Sequence, residues 1–128
     1  MIVGFGIDVV EVARIRRQVE GGERGRRFLA RCFTDGERRY CEARRDSATH
    51  FAARFAAKEA AMKALGVPEG IRFTDVEVVR DAGAPALRFA GKAARAAEAL
   101  GVGEARLSLT HDGGIAAAGV ILVSGRAP

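Results

Sequence analysis

The stretch that decides the fold is FAARFAAKEAAMKALG, residues 51–66. Alanine and other good helix formers fill it, and its last glycine, followed by Val67 and Pro68, supplies a C-terminal stop. We therefore predict a helix over about residues 51–65. At about 100° per residue, its apolar stripe consists of Phe51, Phe55, Met62 and Leu65.

Three charged residues lie on or beside this apolar stripe. Lys58 falls inside the stripe, Glu59 at its edge, and Lys63 one turn beyond Glu59 on the same side. Buried charge is costly unless a partner, a metal or an anionic ligand compensates it, so the placement indicates a functional site. The alternative is that Lys58 extends its ammonium to the surface and that Glu59 and Lys63 form an ordinary i,i+4 pair.

The N-terminal residues alternate in a way that predicts a β-strand with one bare face. The large apolar side chains point one way, and Gly4, Gly6 and Asp8 point the other way, which leaves room for a ligand. Asp8 can share a cation with Glu59, and two carboxylates suit Mg²⁺, which keeps further positions for water and substrate phosphate. Asp8 can equally cap a helix that begins near Glu11.

The rest of the chain predicts an α+β fold. The predicted helices are residues 11–19, 34–42 and 92–100, and the predicted strands are residues 75–80, 86–89, 105–110 and 115–123. Residues 44–49, 81–85 and 111–114 are the predicted connections. Because hairpins dominate the second half, we predict one domain over residues 1–128, with a mainly antiparallel sheet packed against the long central helix.

Composition and charge narrow the function classes. The chain has no apolar run of the roughly 20 residues that a membrane-spanning helix needs, and its start lacks a basic secretory region, which favours a cytoplasmic protein. Cys32 and Cys41 match neither a metal-ligand spacing nor a disulfide framework, so we assign them no role. The net charge of +5 is concentrated in residues 1–54 and indicates an acidic partner, a phosphate or a nucleic acid. The clustered arginines are Arg14, Arg16, Arg17, Arg24, Arg26, Arg27 and Arg31.

Three motifs, in their order and spacing, resemble the holo-acyl-carrier-protein synthases, the short class of 4'-phosphopantetheinyl transferases. They are GIDVVE at residues 6–11, RFAAKEAAMKALG at residues 54–66 and LSLTH at residues 107–111. The resemblance spans essentially the whole chain. It implies the 4'-phosphopantetheinyl transferase fold and transfer of the phosphopantetheine arm of coenzyme A to a serine of apo acyl carrier protein, with release of adenosine 3',5'-bisphosphate.

The resemblance also implies roles for individual residues. Asp8 and Glu59 would be the Mg²⁺ ligands and, with Lys63, the catalytic residues, and Lys63 would stabilise or protonate the departing bisphosphate. For the base that activates the carrier serine, Glu59, Asp112 and a metal-bound water stay open, and we favour the water. The coenzyme A site would be lined by Arg54, Phe55, Lys58, Lys63, Ser108, Thr110 and His111.

The expected partners follow from the same resemblance. The basic first helix would bind the acidic recognition helix of the carrier protein, chiefly through Arg14 and Arg24. The short class is a homotrimer with active sites between subunits, so we expect an apolar interface, for which the Ala- and Val-rich C-terminal strands are the candidates. The alternative function, from charge alone, is a small arginine-rich nucleic-acid-binding module. Since we find no nucleic-acid-binding motif, we expect neither a nucleic acid nor a membrane as partner.

Overall fold

Five α-helices and two antiparallel sheets make up the residues that the structure, a computed structural model, describes, which are 1–80 and 82–125. In chain order the elements are β1 (Ile2–Glu11), α1 (Val12–Val19), α2 (Glu23–Cys32), α3 (Asp35–Glu42), α4 (Ser47–Ala64), a 3-10 turn (Phe73–Asp75), β2 (Val76–Val79), β3 (Ala86–Phe89), α5 (Gly91–Ala99), β4 (Val102–Asp112) and β5 (Ile115–Ser124). Asp81 of the predicted hairpin loop and residues 126–128 lie outside the described residues.

The larger sheet has the strand order β1-β5-β4, and β2 and β3 form a separate hairpin. Alternate residues of the central strand β5 are buried, as the period-two geometry of a strand requires. Because α4 packs along β1 and β5, the predicted α+β fold, with a mainly antiparallel sheet against a long central helix, is confirmed. None of the helices within residues 1–80 and 82–125 combines the length and the hydropathy needed to cross a bilayer.

Helix α4 is longer and more deeply buried than the sequence predicts. It begins at Ser47, inside the predicted loop, where a carboxylate oxygen of Asp46 accepts the backbone N–H of Thr49 at 3.4 Å. Its end is as predicted, with Gly66 at φ 84° just beyond it. The prediction of a single apolar stripe is wrong, because the sheet covers one side of α4 while α1, α3 and β2 cover others.

The bare face of β1 is the surface on which α4 lies, so the room predicted there for a ligand is filled by the helix. A Cβ added at Gly6 would lie 2.0 Å from the carbonyl oxygen of Ala60, and one at Gly4 would lie 2.2 Å from that of Ala64. Only glycine allows the strand and helix backbones to approach this closely. The opposite face of β1 exposes Phe5, Ile7 and Val9.

Most of the other predicted elements are present with shifted ends. The helix after Thr34 has a capping box, in which Thr34 Oγ1 accepts the N–H of Glu37 at 3.2 Å and the Glu37 carboxylate accepts the N–H of Thr34 at 2.9 Å. β4 and β5 are longer than predicted and leave only Gly113 and Gly114 between them. The sequence analysis did not predict helix α2. Gly25 weakens the helical pattern there, and arginines surround the few large apolar residues.

The fold shows the positions of Asp8 and of the two cysteines. Asp8 lies within β1, and the residue that precedes α1 is Glu11, so the alternative that Asp8 caps the first helix is wrong. Cys32 and Cys41 are free and buried, and burial raises the pKa of the Cys41 thiol to about 12. Such thiols are inert core residues.

Candidate functional site

Asp8 and Lys63 form an ion pair at the junction of β1 and α4. Lys63 Nζ donates to Asp8 Oδ1 at 3.1 Å and to the backbone carbonyl oxygen of Ile7 at 3.1 Å. Within residues 1–80 and 82–125, Asp8 Oδ2 is buried and accepts no hydrogen bond. A buried carboxylate oxygen without a donor is costly, so this atom is suited to a cation.

Glu59 lies one turn before Lys63 on α4 and is half-buried. Burial raises the pKa of its carboxyl group, and the negative charge of Asp8 raises it further, while Lys63 and Arg14 act in the opposite direction. Asp8 and Glu59 are therefore close enough to repel each other. Two carboxylates at one site fit Mg²⁺, which often takes only one or two carboxylates from a protein. The residues present thus fit the metal that the resemblance implies.

Lys58 is completely buried, which argues against its predicted contact with coenzyme A. Its Nζ lies 2.7 Å from Glu37 Oε1, and neither side chain is exposed. The same ammonium donates to the backbone carbonyl oxygens of Phe73 and Val76, so all three of its donors are used inside the protein. Burial lowers the pKa of Lys58, and Glu37 opposes this shift. The pair therefore joins α4 to α3 and to β2 with the turn that precedes it. The alternative that Lys58 extends its ammonium to the surface is wrong.

Phe55 is also a core residue, which argues against its predicted place in the coenzyme A site. Its ring stacks on Phe73 with a centroid distance of 5.2 Å and an interplanar angle of 17°. Phe28 lies on another side, with a centroid distance of 6.0 Å. The residue is only 6% exposed.

Arg54 belongs to a cluster of positive charge around Tyr40. The guanidinium carbons of Arg54 and Arg44 lie 3.9 Å and 3.4 Å from the centroid of the Tyr40 ring. Burial alone would raise the pKa of Tyr40, but the charges of Arg54 and Arg44 outweigh it and lower the pKa. Burial, followed by the charge of Arg54, lowers the pKa of His50. In the described part of the chain, the Nε of Arg54 is buried without a hydrogen-bond partner. The arrangement suits a phosphate, and the sequence analysis missed Tyr40 and Arg44.

His111 and Asp112 line a groove beside α1 and the start of α4. Arg16 and Asp46 line the same groove and pair at 3.2 Å. In the strand register Asp112 lies three residue steps from Asp8, which is about 10 Å along the sheet. Asp112 is therefore displaced from the carboxylate pair. His111 is exposed and lines the groove.

Ser108 and Thr110 are exposed on the face of the sheet that α4 does not contact. Through β5, Ser108 is in register with Ile7 and Thr110 with Val9. Since successive side chains of a strand alternate between faces, Asp8 points to the other side. Asp8 borders the same shallow pocket as Ser108 and Thr110, but its carboxylate lies on the opposite face of the sheet.

The predicted docking residues lie on the basic surface formed by the first two helices. Arg14 is exposed on α1 and Arg24 on α2. Arg14 is also close enough to Glu59 to oppose the rise in its pKa. The basic surface thus borders the carboxylate pair.

Comparisons with known proteins agree with the sequence motifs. A family model described as the 4'-phosphopantetheinyl transferase superfamily matches residues 4–117. The holo-[acyl-carrier-protein] synthase of an Anaeromyxobacter species is 67% identical over 123 residues, which cover 95% of each chain. That of Myxococcus xanthus is 50% identical over 123 residues, 96% of each chain. The crystal structure of Helicobacter pylori holo-[acyl-carrier-protein] synthase in complex with coenzyme A has a TM-score of 0.79 and 30% identity, over 93% of this chain and 99% of that chain.

Proposed function

The chain belongs to the 4'-phosphopantetheinyl transferase superfamily, and on that basis we propose that it is a Mg²⁺-dependent holo-[acyl-carrier-protein] synthase. It transfers the 4'-phosphopantetheine arm of coenzyme A to a serine of apo acyl carrier protein and releases adenosine 3',5'-bisphosphate. The observation that carries this proposal is the meeting of Asp8, Glu59 and Lys63 at the β1–α4 junction, in a chain 67% identical to a synthase of that name. The nucleic-acid-binding alternative draws no support from these relatives.

In this proposal Asp8 and Glu59 hold the Mg²⁺ ion. The unpartnered Oδ2 of Asp8 and the repulsion between the two carboxylates support the assignment. When bound, the ion neutralises charge on the pyrophosphate of coenzyme A. Lys63 presents an ammonium beside the same carboxylates, where it stabilises or protonates the departing bisphosphate.

The carrier serine loses its proton to a water that a carboxylate orients. Glu59 is that carboxylate, because it lies at the carboxylate pair, whereas Asp112 is displaced by three residue steps along the sheet. The phosphates of coenzyme A bind the exposed guanidinium of Arg44 and the exposed side chain of His111. Arg54 is buried against the ring of Tyr40, but its Nε has no hydrogen-bond partner within residues 1–80 and 82–125, so it keeps a donor for this site. Lys58 and Phe55 make no contact with coenzyme A in this proposal, because the Lys58 ammonium is fully bonded inside the protein and the Phe55 ring is packed between Phe28 and Phe73.

The acidic recognition helix of the carrier protein docks on α1 and α2 through Arg14 and Arg24. Because Arg14 also borders Glu59, docking there brings the carrier serine to the reacting groups.

The active enzyme is a cytoplasmic homotrimer with active sites between subunits. The exposed apolar face of β1 supports a subunit interface, with Phe5, Ile7 and Val9 each more than half exposed. Ser108 and Thr110 lie on that face, so in this proposal they contact coenzyme A in a site that a neighbouring copy completes. The C-terminal strands contribute less exposed apolar surface than expected, because alternate residues of β5 lie in the core.

The test is a transfer assay with the purified chain, coenzyme A, Mg²⁺ and a panel of apo acyl carrier proteins. Mass spectrometry should show the carrier gaining one phosphopantetheine arm, and Glu59→Gln should fold normally but lose most of the Mg²⁺-dependent transfer. No mass gain with any carrier would refute the activity. Wild-type turnover by Glu59→Gln would instead remove Glu59 from the metal site.

A further inference from the structure

Lys63 is the counterion of Asp8 among the residues that the structure describes. Its ammonium bonds both to Asp8 Oδ1 and to the adjacent carbonyl oxygen of Ile7. The Asp8 side chain is 11% exposed and that of Lys63 is 51% exposed, so water reaches the pair from the lysine side and screens it in part. Lys63 also acts on the pKa of Glu59, so its charge is felt by both carboxylates.

The two carboxylates at this junction cannot pair fully with both the Lys63 ammonium and a divalent cation. Asp8 and Glu59 supply two negative charges, and Lys63 already offsets one of them. A divalent cation at the same carboxylates would face the Lys63 ammonium at short range, and like charges at short range repel. The Lys63 side chain is 51% exposed, so it can move into solvent, whereas Asp8, fixed in β1, cannot.

On the basis of the proposed metal site, we propose that the Lys63 ammonium and the divalent cation compete for Asp8. Lys63 leaves Asp8 when the cation binds, and its ammonium is then available to the leaving bisphosphate. Metal loading and the presentation of Lys63 are therefore a single coupled event.

Metal affinity measured without coenzyme A tests the competition. With Mn²⁺ as the probe, electron paramagnetic resonance titration should show that Lys63→Met binds at least about tenfold more tightly than wild type, because it removes both the competing pair and the repulsion. Lys63→Arg keeps a cation and should stay close to wild type. Lys92→Met removes the same charge from an exposed position on α5 and should change nothing. Unchanged or weaker binding by Lys63→Met would overturn the proposal.

Lysine labelling gives a second readout on the wild-type chain, which has three lysines. With an acetylating reagent and mass spectrometry, adding Mg²⁺ should raise the labelling rate of Lys63 at least about twofold, since its ammonium is released from a bonded state. Lys58 should stay unlabelled because it is buried, and Lys92 reports any effect of Mg²⁺ on the reagent. A Lys63 rate that stays constant or falls contradicts the exchange.

Two further variants separate this inference from the metal site on which it rests. Asp8→Asn and Glu59→Gln should each abolish Mn²⁺ binding. If binding survives in both, the metal site and the competition are both rejected. If binding is lost in both while Lys63→Met equals wild type, only the competition is rejected.

Discussion

Replacing Lys58 by Met should destabilise the protein severely, because Lys58 is fully buried and its ammonium pairs with Glu37. The substitution leaves the fully buried carboxylate of Glu37 without its cation. Glu37 would keep the backbone N–H donors of Thr34 and Val78, at 2.9 Å and 2.8 Å, but would lose the ammonium at 2.7 Å. An uncompensated buried charge costs about 3–5 kcal/mol. This is a large part of the roughly 5–15 kcal/mol by which a domain is stable.

Urea and thermal unfolding of the purified variant measure this loss. Lys58→Met should lose about 3–5 kcal/mol of unfolding free energy, and its melting temperature should fall by roughly 10 °C or more. Lys92→Met, which replaces an exposed lysine, should be neutral within about 0.5 kcal/mol.

The double variant Glu37→Gln/Lys58→Met tests the mechanism. It restores neutrality, and the amide keeps one carbonyl acceptor for a backbone N–H, so it should be more stable than Lys58→Met alone. The result that refutes the reasoning is a Lys58→Met loss below about 1 kcal/mol, or a double variant whose loss is the sum of the two single losses.

Three other outcomes are expected. In thermal unfolding, Gly6→Ala should destabilise the protein several times more than Gly119→Ala. The Cβ added at Gly6 would lie 2.0 Å from a carbonyl oxygen of α4, whereas at Gly119 the nearest atom is 4.0 Å away. Equal effects of the two substitutions would contradict the contact. Asp8→Asn should lower the pKa of Glu59, since it removes a negative charge that disfavours ionisation, and carboxyl ¹³C titration by NMR would show no change if the two groups do not interact. Arg14→Glu should raise KM for the carrier protein far more than KM for coenzyme A, and equal increases would argue against docking at α1.

Local periodicity is what made much of the fold predictable. α4 is set by helix formers and a glycine stop, and β1 by strict alternation of large and small residues. These signals are contained within a few residues, so no knowledge of distant contacts is needed. The same patterns pointed to Asp8, Glu59 and Lys63, because each carries charge where its own element is otherwise apolar.

The sequence could not show which side chains are buried by segments that are distant along the chain. Lys58 and Glu37 lie 21 residues apart on different helices, and nothing local reveals that one neutralises the other. Phe55 matches a motif position, yet whether its ring meets a ligand or Phe73 depends on a turn 18 residues later. The alternative that Glu59 and Lys63 form an ordinary pair fails for a similar reason, since the observed bond of Lys63 is to Asp8 at the other end of the sequence.

The spacing of the carboxylate pair is a consequence of how closely β1 and α4 pack. Two glycines of β1, two residues apart, contact carbonyl oxygens of α4 that are four residues apart. Two strand residues span about 6.6 Å and four helix residues about 6 Å, so each two-residue step along β1 matches a four-residue step back along α4. The next step after Gly6 is Asp8, which is thereby placed beside the turn of α4 that contains Glu59. Helical side chains lean toward the N-terminus of their helix, so Lys63, one turn later, reaches back to Asp8. A larger residue at Gly6 would therefore push α4 away and separate the carboxylates, even though Gly6 itself contacts neither.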